Sequence, residues 1–440
     1  MAHIVIIGNG ISGITCARHV RKISDDEITV ISAESEHFFS RTALMYIYMG
    51  HMKYEHTKPY EDFFWDKNKI KLLKQKVTAI DAVKQTITTE NKTTISFDKL
   101  VIATGSLTAM YDWPGSDLKN VCGLYSLQDL EMIEHHTKDI QSAVIVGGGL
   151  IGVELAEMLH VRHIDVTILV KDDYYWGNVL PTKDALLVEA QLKNNGIKVL
   201  KKVELDKING THGKAKSVTT KDGREINCQF VGITTGVKPN ISFIKNSGVK
   251  TDKGILVNKY FETGSKNIYA IGDCAQFEKP LPGRKPIEQV WYTGKMHGET
   301  LAQTLCGNRT AYQPGPWYNS AKFFDLEYQT YGLVPAMLED KQAYFFWKHP
   351  KDDAAIGICY NKNDKTLAGI NSYGIRLRHA FFDKCLKENK NVAYILSHLQ
   401  FAWFNSEFSK NYIPEILQAW NKETGEKVKK INKLAAAFHL

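Results

Sequence analysis

The fold of this 440-residue chain is decided by two stretches, Gly8-Asn9-Gly10-Ile11-Ser12-Gly13 and Gly147-Gly148-Gly149-Leu150-Ile151-Gly152. Both have the pattern G-x-G-x-x-G, follow an apolar run and precede a segment with helical apolar spacing. One match alone would be a weak signal, but the strand, loop and helix around each copy predict two dinucleotide-binding modules. Two nucleotides side by side suggest electron transfer.

In the first copy, Ile4-Val5-Ile6-Ile7 predicts a buried parallel strand and the segment 14–20 predicts a helix. We expect Gly8 to permit the tight turn and Gly10 to let the backbone approach a pyrophosphate at the helix N-terminus. Gly13 should let the helix lie close to the strand.

A second strand in each module should end where an adenosine ribose would lie. In the first module, the strand over 28–31 ends near Glu34, whose carboxylate is about 20 residues beyond the last glycine and can accept ribose hydrogen bonds. In the second module the strand is followed by Lys171, and a cation there would attract a ribose 2′-phosphate, which predicts a slight preference for NADPH. Asp172 and Asp173 are the alternative, because they could instead hold a 2′-hydroxyl.

Two further predicted strands end in small, backbone-exposing turns. One ends in Ala103-Thr104-Gly105 and the other in Gly272-Asp273. Each glycine admits close approach of a ligand, and the Asp273 carboxylate can bind sugar-like hydroxyls.

This ordered set of motifs resembles the FAD-dependent pyridine nucleotide–disulfide oxidoreductase superfamily over about residues 1–310. The resemblance implies that the first glycine loop and Glu34 hold the adenosine half of FAD, and that Gly272-Asp273 hold its ribityl and pyrophosphate part. It also implies that the second glycine loop binds NAD(P)H in a domain inserted within the FAD domain. The predicted cofactor-binding residues are Gly8, Gly10, Ile11, Ser12, Gly13, Glu34, Arg41, Val77, Ala103, Thr104, Gly105, Gly147, Gly149, Leu150, Ile151, Gly152, Lys171, Gly236, Gly272, Asp273, Val290 and Trp291.

The seven cysteines decide the subclass. They form no C-x-x-C or C-x-x-x-x-C pair, so no redox-active disulfide is predicted, and residues 38–46 lack the single thiol that peroxidase and oxidase relatives carry. We expect Cys16 and Cys274 to be small buried residues. An odd number of scattered cysteines also predicts a reducing cytoplasm.

Without a thiol pair, the chain resembles the flavoprotein reductases for ferredoxin or rubredoxin, the flavin part of nitrite reductase and apoptosis-inducing-factor-like proteins. Arg41 and Leu44 look like the Arg-x-x-Leu of those families, and Glu154 matches an acid of their second glycine loop. We predict Glu154 as the catalytic residue facing the nicotinamide. The lysine that pairs with this acid in several members aligns with Tyr46, so the pair is not expected here. The alternative for Glu154 is an acid stabilised by the helix dipole.

The stretch from Glu288 to Gly294 precedes a predicted helix from Lys295. Its position resembles the last FAD segment of the family, where N–H groups at a helix N-terminus face the pyrimidine edge of the isoalloxazine and stabilise charge there. Trp291 is equally compatible with a place in the core.

A boundary is predicted at Pro314-Gly315-Pro316-Trp317. Antiparallel strands are predicted over 326–331, 342–347, 354–360 and 366–370, with helices from about Arg376. The region resembles the C-terminal interface domain of ferredoxin-reductase relatives, although 316–320 lacks the second Trp of their Pro-Trp-aromatic-Trp-Ser-Asp segment.

Composition and charge restrict the partners. The chain has a net charge of +8 and no run of about 20 apolar residues, and it passes directly from its N-terminus into the first strand, so neither a membrane span nor a signal peptide is expected. No metal site and no nucleic-acid-reading motif is predicted. A basic face could steer an acidic electron carrier such as a ferredoxin or rubredoxin, the alternative being a merely solvated face. The lysines of the tail are Lys422, Lys427, Lys429, Lys430 and Lys433.

The sequence therefore predicts an α/β protein with two nested Rossmann-like domains, as in glutathione reductase, and an α+β C-terminal domain. The FAD domain is expected at 1–112 and 255–312, the NAD(P)H domain at 113–254 and the interface domain at 313–440. The expected function is hydride transfer from NAD(P)H to FAD, with the nicotinamide near Glu154 and Gly236, and electron delivery to a carrier protein. The alternatives are an NAD(P)H oxidase or quinone reductase whose tail after Ile413 contacts a membrane, and a redox-sensing binding protein. A cytoplasmic location and a homodimer complete the prediction.

Overall fold

The computed structural model describes residues 1–404 and 407–431. The chain forms two compact units. The first comprises Met1–Gly147, Met158–Thr167 and Glu204–Pro314, and the second comprises Gly148–Glu157, Ile168–Val203 and Gly315–Leu440. Among the described residues, no helix is long and apolar enough to cross a membrane, and no group of His, Cys, Asp and Glu side chains could hold a metal ion.

The N-terminal part of the first unit contains a parallel sheet and a smaller antiparallel one. Its strands are β1 (His3–Ile7), β2 (Glu27–Ser32), β3 (Ile70–Lys74), β4 (Val77–Asp81), β5 (Thr86–Thr89), β6 (Thr94–Ser96), β7 (Lys99–Ile102) and β8 (Ser106–Thr108). Its helices are α1 (Ile11–Ile23), α2 (Leu44–Tyr48) and α3 (Phe63–Lys67), with short 3-10 turns at Arg41–Ala43 and Tyr54–Thr57. Strands β4, β5 and β6 form the antiparallel sheet.

The second glycine loop lies between a strand and a helix, as the first one does. The elements of this part of the chain are β9 (Val121–Cys122), α4 (Leu127–His136), β10 (Ser142–Val146), α5 (Leu150–Val161), β11 (Asp165–Val170), α6 (Thr182–Asn194), β12 (Lys198–Lys201), β13 (Leu205–Thr211), β14 (Lys214–Thr220), β15 (Glu225–Asn227), β16 (Phe230–Ile233) and β17 (Val237–Pro239), followed by a 3-10 turn at Ser242–Ile244. The sheet order is β12-β11-β10-β16-β9. Strand β17 pairs antiparallel with β8.

The chain then returns to the first sheet. The elements are β18 (Ile255–Val257), β19 (Ile268–Ala270), a 3-10 turn at Gly272–Cys274, β20 (Ala275–Phe277) and α7 (Trp291–Leu305). Strand β19 lies parallel beside β7, which completes the order β19-β7-β1-β2-β3. Every strand of this sheet is parallel to its neighbours, and its central strands β1 and β7 are almost wholly buried, as expected for a sheet covered on both faces.

Helix α7 begins four residues earlier than the sequence predicts, at Trp291 rather than Lys295. The prediction treated Gly294 as a loop residue, but Gly294 and Gly298 are helical and permit α7 to cross α1 closely. A Cβ on Gly298 would lie 2.5 Å from the Ser12 carbonyl oxygen. The glycines therefore serve helix packing and do not end the helix.

The C-terminal part of the second unit is an antiparallel sheet with helices, as predicted. Its elements are β21 (Tyr318–Phe323), β22 (Leu326–Gly332), β23 (Gln342–Lys348), β24 (Ala355–Asn361), β25 (Leu367–Tyr373), α8 (His379–Lys387), α9 (Val392–Ser397), α10 (Leu399–Ala402) and α11 (Ile413–Thr424). The sheet order is β21-β22-β25-β24-β23. Strand β21 was not predicted.

Helix α11 corrects the alternative of a membrane-contacting tail after Ile413 as far as Thr424, whereas residues 432–440 of that tail lie outside the described residues. Its apolar residues Ile413, Ile416, Leu417 and Trp420 are buried in the core of this unit. The apolar face is therefore covered by the protein itself. Of the tail lysines, those at 422, 427, 429 and 430 are exposed, and Lys433 lies outside the described residues.

A buried carboxylate joins α6 to the C-terminal sheet within the second unit. Asp184 is fully buried and accepts hydrogen bonds from the Tyr344 hydroxyl, from the Asn371 amide at 2.9 Å and from the Tyr373 hydroxyl at 3.0 Å. Burial raises the pKa of Asp184 above its ordinary value, and these three donors oppose that shift. The carboxylate therefore fastens the helix of one module to strands of the next.

Candidate functional site

The first glycine loop combines two closed positions with one open position. Gly8 has a φ of +111°, and a Cβ there would lie 2.1 Å from the Ala103 carbonyl oxygen. A Cβ on Gly13 would lie 2.1 Å from the Gly8 carbonyl oxygen, so the turn, strand and helix are in backbone contact. A Cβ on Gly10, in contrast, would meet no atom within 4 Å. Open space therefore lies directly against the backbone at Gly10.

The second loop repeats this arrangement. Gly147 has a φ of +124°, and its Cβ would lie 2.6 Å from the Thr234 carbonyl oxygen, whereas a Cβ on Gly149 would meet nothing within 4 Å. Thr234 follows β16 as Ala103 follows β7, and each is followed two residues later by a glycine with positive φ, Gly105 at +65° and Gly236 at +123°. The two modules are thus built on one plan, and the repeated strand-end turn places Gly236 as the counterpart of Gly105.

The N-terminus of α1 fits a pyrophosphate. Its N-cap residue is Gly10, no side chain caps the first turn, and that turn carries no acidic residue. The first N–H groups of a helix lack partners within the helix and carry its positive dipole end. A dinucleotide seated against Gly10 would satisfy them, so the residues present fit FAD at this position.

The structure brings Glu34 and Arg41 together. The guanidinium of Arg41 donates to both carboxylate oxygens of Glu34, at 2.8 and 2.5 Å, and also to the Tyr125 carbonyl at 2.6 Å. Glu34 accepts in addition from the Leu127 N–H at 2.9 Å. Glu34, predicted to bind the ribose, and Arg41, predicted to lie near the pyrophosphate, are therefore neighbours. The segment that starts at Tyr125 contacts both of them.

Asp273 lies within the same region and is held by two hydroxyl groups. Its Oδ2 accepts from the Tyr125 hydroxyl at 3.2 Å and from the Ser106 hydroxyl at 3.3 Å, and Gln289 donates to Ser106 at 3.0 Å. Burial raises the pKa of Asp273, while the two hydroxyl donors and the charge of Arg41 oppose the shift. Asp273 retains some exposure, so it can accept a hydroxyl from a ligand.

Tyr125 is a site residue that sequence reasoning missed. Its hydroxyl contacts Asp273, its ring lies 4.6 Å from the Arg41 guanidinium carbon, and a Cβ on Gly105 would lie 2.9 Å from its oxygen. It is 148 residues from Asp273 in sequence and belongs to none of the quoted motifs. No local sequence pattern indicates the role of Tyr125.

Glu154 is on α5, in the second unit. Burial, and then the neighbouring charge of Glu157, raise the pKa of Glu154 to about 7, so the carboxyl can hold a proton near neutral pH. The predicted partner position, Tyr46, is on α2 and stacks on His51 with ring centroids 6.1 Å apart. A hydroxyl cannot supply the cationic charge of a lysine, so the absence of the lysine–glutamate pair stays a prediction.

The loop after β11 supports the second glycine loop within the second unit. The Tyr175 hydroxyl donates to the Gly149 carbonyl and the Trp176 N–H donates to the Gly148 carbonyl, both at 2.8 Å. Lys171 is exposed at the end of β11. Asp173 Oδ1 forms an ion pair with Lys202 Nζ at 2.5 Å. The sequence analysis did not predict this pair. One of the two acids that compete with Lys171 is thus already paired.

The remaining predicted residues have plain placements. Val77 begins β4 and is buried, Val290 is the half-buried N-cap of α7, and Trp291 is the first helical residue with 37% of its surface exposed. The core alternative for Trp291 is therefore wrong. Leu150 and Ile151 open α5, directly after the loop glycine Gly149.

All seven cysteines lie among the described residues, are free, and six of them are buried. Burial raises the pKa of Cys274 to about 11 and that of Cys122 to about 12, and it raises that of Cys16 further. Such thiols stay protonated and unreactive at neutral pH. The prediction that Cys16 and Cys274 are buried is confirmed.

Comparison with known proteins agrees with this geometry. The sequence profile of the family described as "Pyridine nucleotide-disulphide oxidoreductase" matches residues 2–298. An assimilatory nitrate reductase electron transfer subunit of Bacillus subtilis (strain 168) is 30% identical over 307 residues, covering 69% of this chain, which spans only 39% of that relative's length. A rubredoxin-NAD(+) reductase of Ectopseudomonas oleovorans is 26% identical over 70% of this chain and 80% of its own. The crystal structure of a ferredoxin reductase from Rhodopseudomonas palustris has the same fold, with a TM-score of 0.82 at 23% identity over 89% of this chain and 96% of the other.

Proposed function

Since the chain belongs to the pyridine nucleotide-disulphide oxidoreductase family, we propose that it is an FAD-dependent enzyme that takes hydride from NAD(P)H and passes electrons to a small carrier protein. The observation that carries this proposal is the pair of glycine loops, each closed at its first glycine and open at its middle glycine. The predicted superfamily, fold class, enzyme class and cofactors agree with the family.

The protein would hold and orient the cofactors. Bound FAD supplies the ability to accept two electrons as hydride and to release them singly. Gly10 and the first turn of α1 would bind its pyrophosphate, and Asp273, fixed by Tyr125 and Ser106, would accept a hydroxyl of the flavin chain. Gly149 would leave room for the pyrophosphate of NAD(P)H.

Glu154 would hold a proton beside the nicotinamide. Its raised pKa means that the protonated form is well populated at neutral pH, so the carboxyl can donate a hydrogen bond as well as accept one. A neutral acid also avoids repelling the phosphates of the incoming nucleotide.

The buried thiols support electron exit without a disulfide step. With seven protonated cysteines and no C-x-x-C pair, no described thiol is suited to attack a substrate disulfide. A carrier protein such as ferredoxin or rubredoxin suits this chemistry, and the exposed tail lysines would favour an acidic one. The free cysteines also support a cytoplasmic location.

We propose the predicted domain division as well. The FAD domain would consist of 1–112 and 255–312, which is supported by the pairing of β19 with β7 in one parallel sheet. The NAD(P)H domain would span 113–254, and the C-terminal domain 313–440 would form the interface with the carrier or with a second copy of the chain.

The deciding experiment is rapid-mixing spectroscopy of the purified protein. We expect a yellow protein that releases FAD on denaturation, is reduced by NADH and NADPH, and is reoxidised faster by ferredoxin or rubredoxin than by oxygen or quinone. If oxygen or quinone reoxidises the flavin fastest, the protein is instead the NAD(P)H oxidase or quinone reductase of the alternative hypothesis. A colourless protein that takes up no FAD would overturn the proposal entirely.

A further inference from the structure

A buried polar cluster lies behind Gly272-Asp273 and has no part in the functions assigned above. His297, in the middle of α7, has no exposed surface, and its Nδ1 accepts a hydrogen bond from the Gly272 N–H at 3.1 Å. Gly272 has a φ of +73°, so the turn that presents Asp273 has a backbone conformation that needs glycine. The imidazole therefore satisfies the N–H of the residue that aims the flavin-binding carboxylate.

The other edge of the ring faces a carboxylate. His297 Nε2 lies 3.5 Å from Oε2 of Glu288, which is 96% buried. Glu288 also accepts from the Tyr312 hydroxyl at 2.7 Å and from the Arg284 guanidinium at 3.2 Å. The cluster thus extends from the Gly272 turn to the segment that leads into α7.

The hydrogen bond from the Gly272 N–H fixes the tautomer of His297. Because Nδ1 accepts from the Gly272 N–H, the ring proton must be on Nε2, where it points toward Glu288. Burial lowers the pKa of His297, which keeps the ring neutral. Burial alone would raise the pKa of Glu288, but His297, Tyr312 and Arg284 together lower it, so the carboxylate is the anionic acceptor.

We propose that His297, held in one tautomer by the Gly272 N–H and with its Nε2 edge facing Glu288, is a positioning residue for the flavin chain. It keeps the Gly272 N–H paired and thereby holds the Asp273 carboxylate where the ligand needs it. The same ring connects Gly272-Asp273 with the Glu288-to-Val290 segment, and both lie within the predicted second FAD segment, 255–312. This inference rests on the proposed function, because it takes Asp273 as a flavin contact.

Two substitutions separate hydrogen bonding from packing. His297→Gln keeps an acceptor for Gly272 and a donor for Glu288, whereas His297→Leu removes both but suits the surrounding rings of Phe261, Phe277 and Tyr312. If His297 only fills space, the leucine variant should bind FAD at least as well as the glutamine variant. We expect the opposite order.

The measurement is a fluorescence titration of each apoprotein with FAD, with thermal unfolding of the apoprotein recorded in parallel. We expect His297→Gln to bind within about threefold of the parent and His297→Leu to bind at least about tenfold more weakly. His19→Leu is the matched control, because His19 also reaches α7, 3.9 Å from Glu299, but does not pair with the Gly272 turn. It should bind FAD like the parent.

Each outcome has one meaning. A parent that binds no FAD would refute the proposed function. A parent that binds FAD, with His297→Leu binding equally well or His297→Gln binding as weakly as His297→Leu, would refute this inference alone. Should the leucine variant fail to fold, Tyr312→Phe takes its place, because it removes one donor to Glu288. We then expect a threefold or greater loss of FAD affinity, and parental affinity would refute the inference.

Discussion

The open middle glycine of each loop allows the two nucleotide sites to be blocked separately. Gly10 has φ −69° and ψ −178°, which any residue can adopt, and a Cβ there would meet nothing within 4 Å. Gly10→Leu should therefore change the free energy of unfolding of the apoprotein by no more than about 0.5 kcal/mol.

The same leucine should weaken FAD binding strongly. It would occupy the space against the first turn of α1 and keep a pyrophosphate from the helix N–H groups. Loss of two hydrogen bonds to a charged group, at about 1.5–3 kcal/mol each, weakens the Kd about 10²- to 10⁴-fold. Fluorescence titration of the apoprotein measures this directly.

Gly149→Leu and Gly8→Leu complete the design. Gly149→Leu should keep bound FAD and lose NAD(P)H-dependent flavin reduction, because its Cβ also meets open space. Gly8→Leu should fail to fold, because its Cβ would lie 2.1 Å from a backbone oxygen at φ +111°. A folded Gly10→Leu protein with parental FAD affinity, or a Gly149→Leu protein that loses FAD, would refute the assignment of the two loops.

Four further predictions use other features of the site. Asp273→Ala should weaken the Kd for FAD about 10- to 150-fold in the same titration, and unchanged retention after dialysis would contradict its role. Because the pKa of Glu154 is raised to about 7 in the fold, the parent should lose up to about 3 kcal/mol of unfolding free energy relative to Glu154→Gln as the pH rises from 4.5 to 7.5; parallel denaturation curves would argue against it. Alkylating accessible thiols should leave turnover with an artificial acceptor nearly intact, and a loss without unfolding would reveal a catalytic cysteine. Lys171→Glu should lower the ratio of flavin-reduction efficiency with NADPH to that with NADH several-fold. If the ratio does not change, Asp172 becomes the better candidate for the ribose contact.

Local patterns predicted the elements that carry the site. The apolar run at Ile4, the glycine loops and the alternating strands near Leu326 and Gln342 each depend on neighbours in sequence, and the structure has these elements within two residues of the predicted positions. Strand β21 was missed because its start at Tyr318 was interpreted only as part of a tryptophan motif.

The missed residues share a physical reason. Tyr125 reaches Asp273, and His297 reaches Gly272, through contacts that only the completed fold creates. Lys202 meets Asp173 because two strands of a parallel sheet end side by side. A side chain whose partner is distant in sequence has no periodicity or spacing to reveal it, so these roles could not be predicted from the chain alone.

The buried Asp184 restricts how this protein can be rearranged in evolution. Its three hydrogen-bond donors come from strands β23 and β25. A recombination event that replaced everything after Pro314 would leave the buried carboxyl of Asp184 without hydrogen-bond donors, unless the incoming sheet supplied equivalents of Tyr344, Asn371 and Tyr373. The two compact units divide at Pro314, but the parts of the chain before and after it could not be exchanged independently in evolution. We therefore expect relatives to exchange helix α6 and the C-terminal sheet only together.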